Sequence, residues 1–362
     1  MSKKSLFAVV SALVVLVQVS LGADVPKNIV LMIGDGMGHA QLTATKVVKA
    51  KLNMERMPVG GMVTTFAKDD FVTDSAAAAT ALATGEKTNN GMLSQAPGGK
   101  PLKTLFEYAK EAGKFRGIVV TCSLTHATPA AFASHVKGRE MNDEIAEHMA
   151  GAGLEVMFGG GLAYFMPRGM PGSSRQDNKN LIDVLAKRGE VVVQERQFAG
   201  LSEDKPATAL IALKHPAPSK DRSLSLGAMV AKALPILATN GKGFVLMVEG
   251  SQIDWEAHKN DAAGIIRETI EFDDAVGVVL DFAQKDGRTL VVVTADHETG
   301  GMTLLGGSIK DKAVSKAEFS THDHSAVMVP LFAFGPGSVE MGGLKDNTDI
   351  GKKLIEYAIG LK

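Results

Sequence analysis

The sequence predicts an α/β protein, a three-layer α/β/α sandwich with a central, mostly parallel sheet, built as a single domain. Three observations carry that expectation. Short apolar runs bounded by glycine or polar turns alternate with longer segments of helical apolar spacing, the rhythm of strands and crossover helices. The runs are continuous rather than alternating, as strands buried on both faces require. Ionisable residues collect where the runs stop, and open α/β sheets gather ligands beyond the carboxyl ends of their strands.

Strands are expected at residues 28–33, 117–121, 244–248, 289–294 and 330–334, and helices at 102–112, 143–150, 224–238 and 262–282. Residues 94–101, 167–178, 216–223 and 306–323 are rich in Pro, Gly, Ser and Lys and read as loops. There is no internal repeat, and the run Ala76 to Ala79 sits in a helical context.

With 362 residues, 45% hydrophobic and 22% charged, the chain has material for a large core and excludes a disordered or collagen-like polymer. A net charge of −1 gives no basic excess, so no nucleic-acid partner is expected. Cys122 is the single cysteine, which forbids an intramolecular disulfide. Its reading from sequence is a small buried hydrophobe.

Lys3 and Lys4 precede an apolar run at 6–19, followed by Ser20, Leu21, Gly22 and Ala23, the three zones of a secretory signal peptide. Residues 1–22 are therefore expected to be a leader, with the mature chain at 23–362 and a periplasmic or secreted location. Gln18 interrupts the run, which falls short of the roughly 20 apolar residues that span a bilayer. No membrane span is expected after leader removal.

Three strand ends carry carboxylates: Asp35 between Gly34 and Gly36, Glu249 with Asp254 a few residues on, and Asp296 beside His297 and Glu298. A carboxylate after a buried strand is costly unless paired or coordinated, and together the three suggest one shared cation site. In Asp254-Trp255-Glu256-Ala257-His258 the i and i+4 residues share a helical face, where both can grip one ion. A helix start with Asp254 as cap and His258 solvated is the alternative. Asp296 and His297 can both ligate only where the strand has ended, and Asp35 has the alternative of capping the next helix.

Ser75 opens a helical segment in Thr73-Asp74-Ser75-Ala76. Serine there is commonly a cap, but a helix N-terminus also receives phosphate, and a cation can favour the serine alkoxide. Thr128 offers a hard oxygen to magnesium and Arg139 a two-pronged grip on phosphate. His324, with His322 two residues earlier, could complete a nitrogen-containing zinc site.

Taken in order, Asp35-Gly36, Asp74-Ser75-Ala76, His126-Ala127-Thr128, Glu249 to Asp254, His258, Asp296-His297-Glu298-Thr299-Gly300 and His324-Ser325 resemble the alkaline phosphatase family, from about Lys27 to the C-terminus. The resemblance implies a catalytic domain over 23–362 with two zinc ions and one magnesium ion around a serine nucleophile. It implies Asp254, His258 and His324 as ligands of one zinc, and Asp35, Asp296 and His297 with the Ser75 hydroxyl as those of the other. Asp35, Thr128 and Glu249 would hold magnesium, and Arg139 would clamp phosphate. His126 and Trp255 take positions beside the ligands or the phosphate that vary within the family, some relatives carrying aspartate at the first.

The implied substrates are small phosphate monoesters, hydrolysed to inorganic phosphate through a phosphoserine intermediate, and a homodimer follows from the resemblance alone. The donor chemistry agrees independently, since two ligand sets mix nitrogen with carboxylate and the third is all oxygen. Three other readings compete. A sulfatase needs Cys or Ser followed by x-Pro-x-Arg, whereas Ser75 is followed by four alanines. A phosphodiesterase of the same superfamily would use similar metals. A non-catalytic secreted metal- or phosphate-binding protein would have closed, structural sites.

Overall fold

The computed structural model describes residues 25–361; the expected leader lies outside the described residues. Fourteen strands occur in chain order: β1 (Asn28–Gly34), β2 (Val59–Thr64), β3 (Phe115–Ser123), β4 (Val156–Gly160), β5 (Glu190–Val192), β6 (Ala207–Leu210), β7 (Phe244–Gly250), β8 (Thr289–Thr294), β9 (Glu298–Thr299), β10 (Met302–Ser308), β11 (Ala313–Phe319), β12 (His324–Ser325), β13 (Val329–Phe334) and β14 (Gly343–Asp346). The α-helices are α1 (His39–Lys49), α2 (Ser75–Thr84), α3 (Leu105–Glu111), α4 (Ala127–Ala133), α5 (Asn142–Ala152), α6 (Leu181–Ala186), α7 (Leu226–Ala238), α8 (Gln252–His258), α9 (Ala262–Asp286) and α10 (Asn347–Ala358).

Ten strands form one sheet in the order β14-β2-β13-β8-β1-β7-β3-β4-β6-β5. Every ladder in it is parallel except those of β13, which runs antiparallel to both β2 and β8. The mostly parallel sheet with flanking helices is thus the architecture expected. At its centre β1, β7 and β8 are buried along their whole length, so their Ile, Leu, Met and Val side chains meet helices on both faces. In register, Ile33 pairs with Glu249 on one side and Thr294 on the other, and Val120 of β3 also pairs with Glu249. The carboxyl ends of β8, β1 and β7 therefore finish within a residue of one another, and β3 runs on two residues further beside them.

One expected loop is corrected. Within residues 306–323 the chain forms the second half of an antiparallel hairpin, β10 with β11. Register breaks between Leu304, Gly306 and Gly307 spoil the period-two pattern. The hairpin nevertheless packs Leu304, Val314, Ala317 and Phe319 against the main core. The remaining loops and the expected helices stand close to where the spacing places them, with α9 running one turn further, to Asp286.

Candidate active site

The adjoining strand ends bring the acidic residues together. Asp35 follows β1, Asp296 and His297 come just after β8, and Glu249 is the penultimate residue of β7, all fully buried. Gly36 makes the turn after β1 possible: its φ is +72°, and a Cβ there would lie 2.8 Å from the Asp254 Cα. Only glycine allows β1 to end so close to α8. Asp35 caps no helix, because α1 starts at His39 after Gly38. Nor does Asp254 cap α8; it lies in the first turn, inside the N-cap Ser251.

Asp254 Oδ1 lies 3.3 Å from His258 Nε2 and 3.6 Å from His324 Nε2. Across the site, His297 Nε2 is 3.5 Å from Asp35 Oδ1 and 3.2 Å from Asp296 Oδ2. The His297 and His324 rings stack with centroids 3.5 Å apart, so the two groups share a wall. His258 Nδ1 meets the His322 carbonyl and His324 Nδ1 lies 2.8 Å from the Thr73 carbonyl. Each Nδ1–H is thereby used and the Nε2 lone pair turned toward the carboxylates. The His322 ring is exposed and instead meets the carbonyl of His258.

A third group forms around the end of β3, where ligand atoms of Cys122, His126 and Glu249 lie within 4.8 Å of one another. The Thr128 hydroxyl faces Glu249 from the first turn of α4. Cys122 is fully buried, and its thiol donates to the Glu249 carboxylate at 3.4 Å. Burial, reinforced by the Glu249 charge, pushes that thiol well above its usual range, so it stays protonated and unreactive.

Ser75 is the first residue of α2 and is buried, with its Oγ 3.2 Å from His297 Nε2. The cap of that helix is Asp74, whose Oδ1 accepts from the Ala77 amide. Ser75 is thus free of capping duty. The other Asp74 oxygen accepts from Arg139 Nη1 at 2.9 Å and from the Gly91 amide at 3.1 Å. Arg139 Nη2 lies 3.5 Å from His126 Nε2. Burial, aided by the Arg139 charge, pushes His126 down to about 3, so its ring is neutral. Trp255 packs edge-on against His126 at 5.9 Å and against His215 at 4.6 Å.

The donor atoms fit divalent cations. Both oxygens of Asp35, Asp296 Oδ2, Glu249 Oε1 and the Thr128 hydroxyl are buried without any hydrogen-bond partner, an arrangement native interiors rarely tolerate. Left to the protein alone, burial and then the neighbouring Asp296, Asp254 and Glu249 charges push Asp35 well up, and burial pushes Glu249 up to about 7. Cations at these oxygens remove both penalties.

Three residues that touch the site are given no role in the sequence reading. Asp74 orients Arg139, and its position one residue before a helix was the available signal. Thr299 donates to Asp254 Oδ1 at 2.5 Å and stands 3.2 Å from His297 Nδ1, linking the two histidine groups. His215 accepts from the Ser123 amide and walls Trp255; a lone histidine before Pro216 gave no signal.

Comparison with known proteins points to one family. A sequence model of the alkaline phosphatase family matches residues 26–318. Alkaline phosphatase 4 of Bacillus subtilis is 33% identical, covering 89% of this chain and 87% of that protein. The alkaline phosphatase of Escherichia coli K12 is 31% identical over 95% of this chain and 88% of its own. The structure of alkaline phosphatase from the Antarctic bacterium TAB5 superposes with a TM-score of 0.85 at 36% identity, covering 94% of this chain and 99% of that one. A histidine-to-aspartate variant of that enzyme has been solved with Mg bound in its M3 site.

Proposed function

This chain belongs to the alkaline phosphatase family and hydrolyses phosphate monoesters, and we propose that it does so through a phosphoserine intermediate on Ser75, at a site holding two zinc ions and one magnesium ion. Asp254, His258 and His324 would hold one zinc, and Asp35, Asp296 and His297 the other. Asp35, Thr128 and Glu249 would hold magnesium. Mixed nitrogen and carboxylate sets suit zinc and an all-oxygen set suits magnesium. When bound, the cations supply the positive charge that favours an ionised Ser75 and offsets the four carboxylates. The observation that carries the reading is the buried Ser75 hydroxyl, 3.2 Å from His297 Nε2 and at the head of a helix, beside carboxylate oxygens that no protein group satisfies.

The side chains divide the work. Ser75 Oγ forms a bond to phosphorus as the bond from phosphorus to the alcohol oxygen breaks in line, and the proton that Ser75 loses is balanced by the one the departing alcohol oxygen takes up from solvent. The alcohol departs; water then attacks the phosphoserine, releasing inorganic phosphate and restoring the hydroxyl. Arg139, fixed by Asp74, presents its guanidinium to the non-bridging oxygens, and the α2 amides add their partial positive charge. Neutral His126 and the Trp255 ring wall the same side without adding charge.

Arg139 also bears on the choice between monoester and diester, because it rewards the extra charge that only a monoester dianion carries. The enzyme is expected to hydrolyse p-nitrophenyl phosphate faster than bis-p-nitrophenyl phosphate, by on the order of 10²-fold or more. Faster turnover of the diester would refute the monoesterase site.

Among the described residues, no helix is long and apolar enough to cross a membrane. The leader read at residues 1–22 would send the mature chain to the periplasm or beyond. A mass for the exported protein that begins at residue 23 checks this.

A further inference from the structure

Glu298 stands next to His297 and yet, among the described residues, belongs to no group of clustered ligand atoms. Its carboxylate is buried and fully engaged by protein donors. Oε1 accepts from Gln41 Nε2 at 2.7 Å and from the Met302 amide at 3.2 Å. Oε2 accepts from the Gly301 amide at 3.2 Å and from the Ser325 hydroxyl. Where Asp35 and Asp296 leave oxygens unpaired, Glu298 leaves none. The donors come from three separate places: α1, the turn into β10, and β12.

That last contact matters because β12 carries His324. Only two residue pairs, His324 with Thr299 and Ser325 with Glu298, hold β12 to β9. A two-residue ladder is a weak clamp by itself. We propose that Glu298 is a positioning residue for the metal centre: it ligates nothing, and its bonds to Ser325, Gln41 and the 301–302 amides lock the His297 and His324 segments at the spacing that cation binding requires. The inference rests on the metal-site reading above.

Gly38 gives an independent way to disturb the same carboxylate. A Cβ at Gly38 would fall 2.2 Å from Glu298 Cγ and 2.8 Å from Gln41 Oε1. The Gly38 backbone has φ −84° and ψ −178°, which alanine adopts without strain. Gly38→Ala would thus displace Glu298 by contact alone. Glu298→Gln replaces one acceptor oxygen by an amide nitrogen that must face donors.

The test uses the mature full-length protein, stripped and titrated with zinc against a competing chelator. Melting of the metal-free form and kcat and KM for p-nitrophenyl phosphate at limiting and saturating zinc are measured alongside. Both Glu298→Gln and Gly38→Ala are expected to weaken zinc binding roughly 10- to 100-fold, with kcat recovering at saturating zinc and KM little changed. If Glu298→Gln does not fold, Ser325→Ala removes a single donor and is expected to weaken zinc binding several-fold. Wild-type zinc affinity in these variants, even with a lowered melting temperature, would overturn the proposal and leave Glu298 a structural anchor. So would lost activity that zinc does not restore. A wild-type protein that binds no zinc would instead overturn the metal-site reading.

Discussion

Ser75→Ala is expected to lower kcat for phosphate monoesters by at least about 10³-fold while leaving the metals in place. The substitution removes one buried oxygen and, with it, the hydrogen bond to His297 Nε2. Asp74, not Ser75, accepts from the Ala77 amide, so α2 keeps its cap, and alanine suits a helix already built of Ala76 to Ala79. Asp35 and Asp296 are untouched, as are the Arg139 contacts with Asp74, and His297 loses one contact, that of its Nε2 with the serine hydroxyl. Stability should therefore move by less than about 1 kcal/mol. Steady-state kinetics, metal content and thermal melting on the same preparation separate the outcomes. Undiminished turnover would remove Ser75 as nucleophile. Loss of turnover together with loss of metal would make the hydroxyl a necessary ligand, and the covalent step would then need its own demonstration by trapping labelled phosphate on the chain.

The central sheet and the site were legible in the sequence for a common reason. Strands buried on both faces must be apolar throughout, so Asn28–Gly34, Phe244–Gly250 and Thr289–Thr294 stand out, and any carboxylate at their ends is conspicuous against them. What stayed hidden lacks that contrast. Glu190–Val192 and Gly343–Asp346 lie at the sheet edges, are short and are only partly buried, so they show no apolar run. The β10–β11 hairpin is disguised by its irregular register. Function was hidden likewise wherever a residue acts through another. Asp74, Thr299 and His215 bind neighbours that the topology delivers from 65, 45 and 92 positions away. Spacing along the chain contains no trace of such partners. His322 and His324 could not be separated by sequence alone, whereas in space the first turns its ring outward and the second stacks on His297.

Removal of divalent cations is expected to abolish activity and to lower the melting temperature by on the order of 10 °C, both restored by zinc with magnesium. The site is a concentration of buried negative charge: Asp35, Glu249 and Asp296 are fully inaccessible and Asp254 nearly so. No lysine among the described residues forms an ion pair with any of them. Without cations the protein must either keep mutually repelling carboxylates in a low-dielectric interior or take up protons, and the rise of Asp35 and the shift of Glu249 up to about 7 show the direction in which burial drives them. A ligand at 1,000 times its Kd stabilises the folded state by about 4 kcal/mol, and each kcal/mol corresponds to roughly 2–4 °C for a chain somewhat smaller than this one. Cys122 is alone, so no disulfide limits the loss. Zinc, matched to the two sets that include histidine, should restore most of the melting temperature. Magnesium should add the remainder through Asp35, Thr128 and Glu249. Melting curves before chelation, after it, and after stepwise return of each metal provide the check. An unchanged melting temperature in the stripped protein would mean that the orphaned oxygens of Asp35 and Asp296 find their partners elsewhere, and the cation cage would have to be given up.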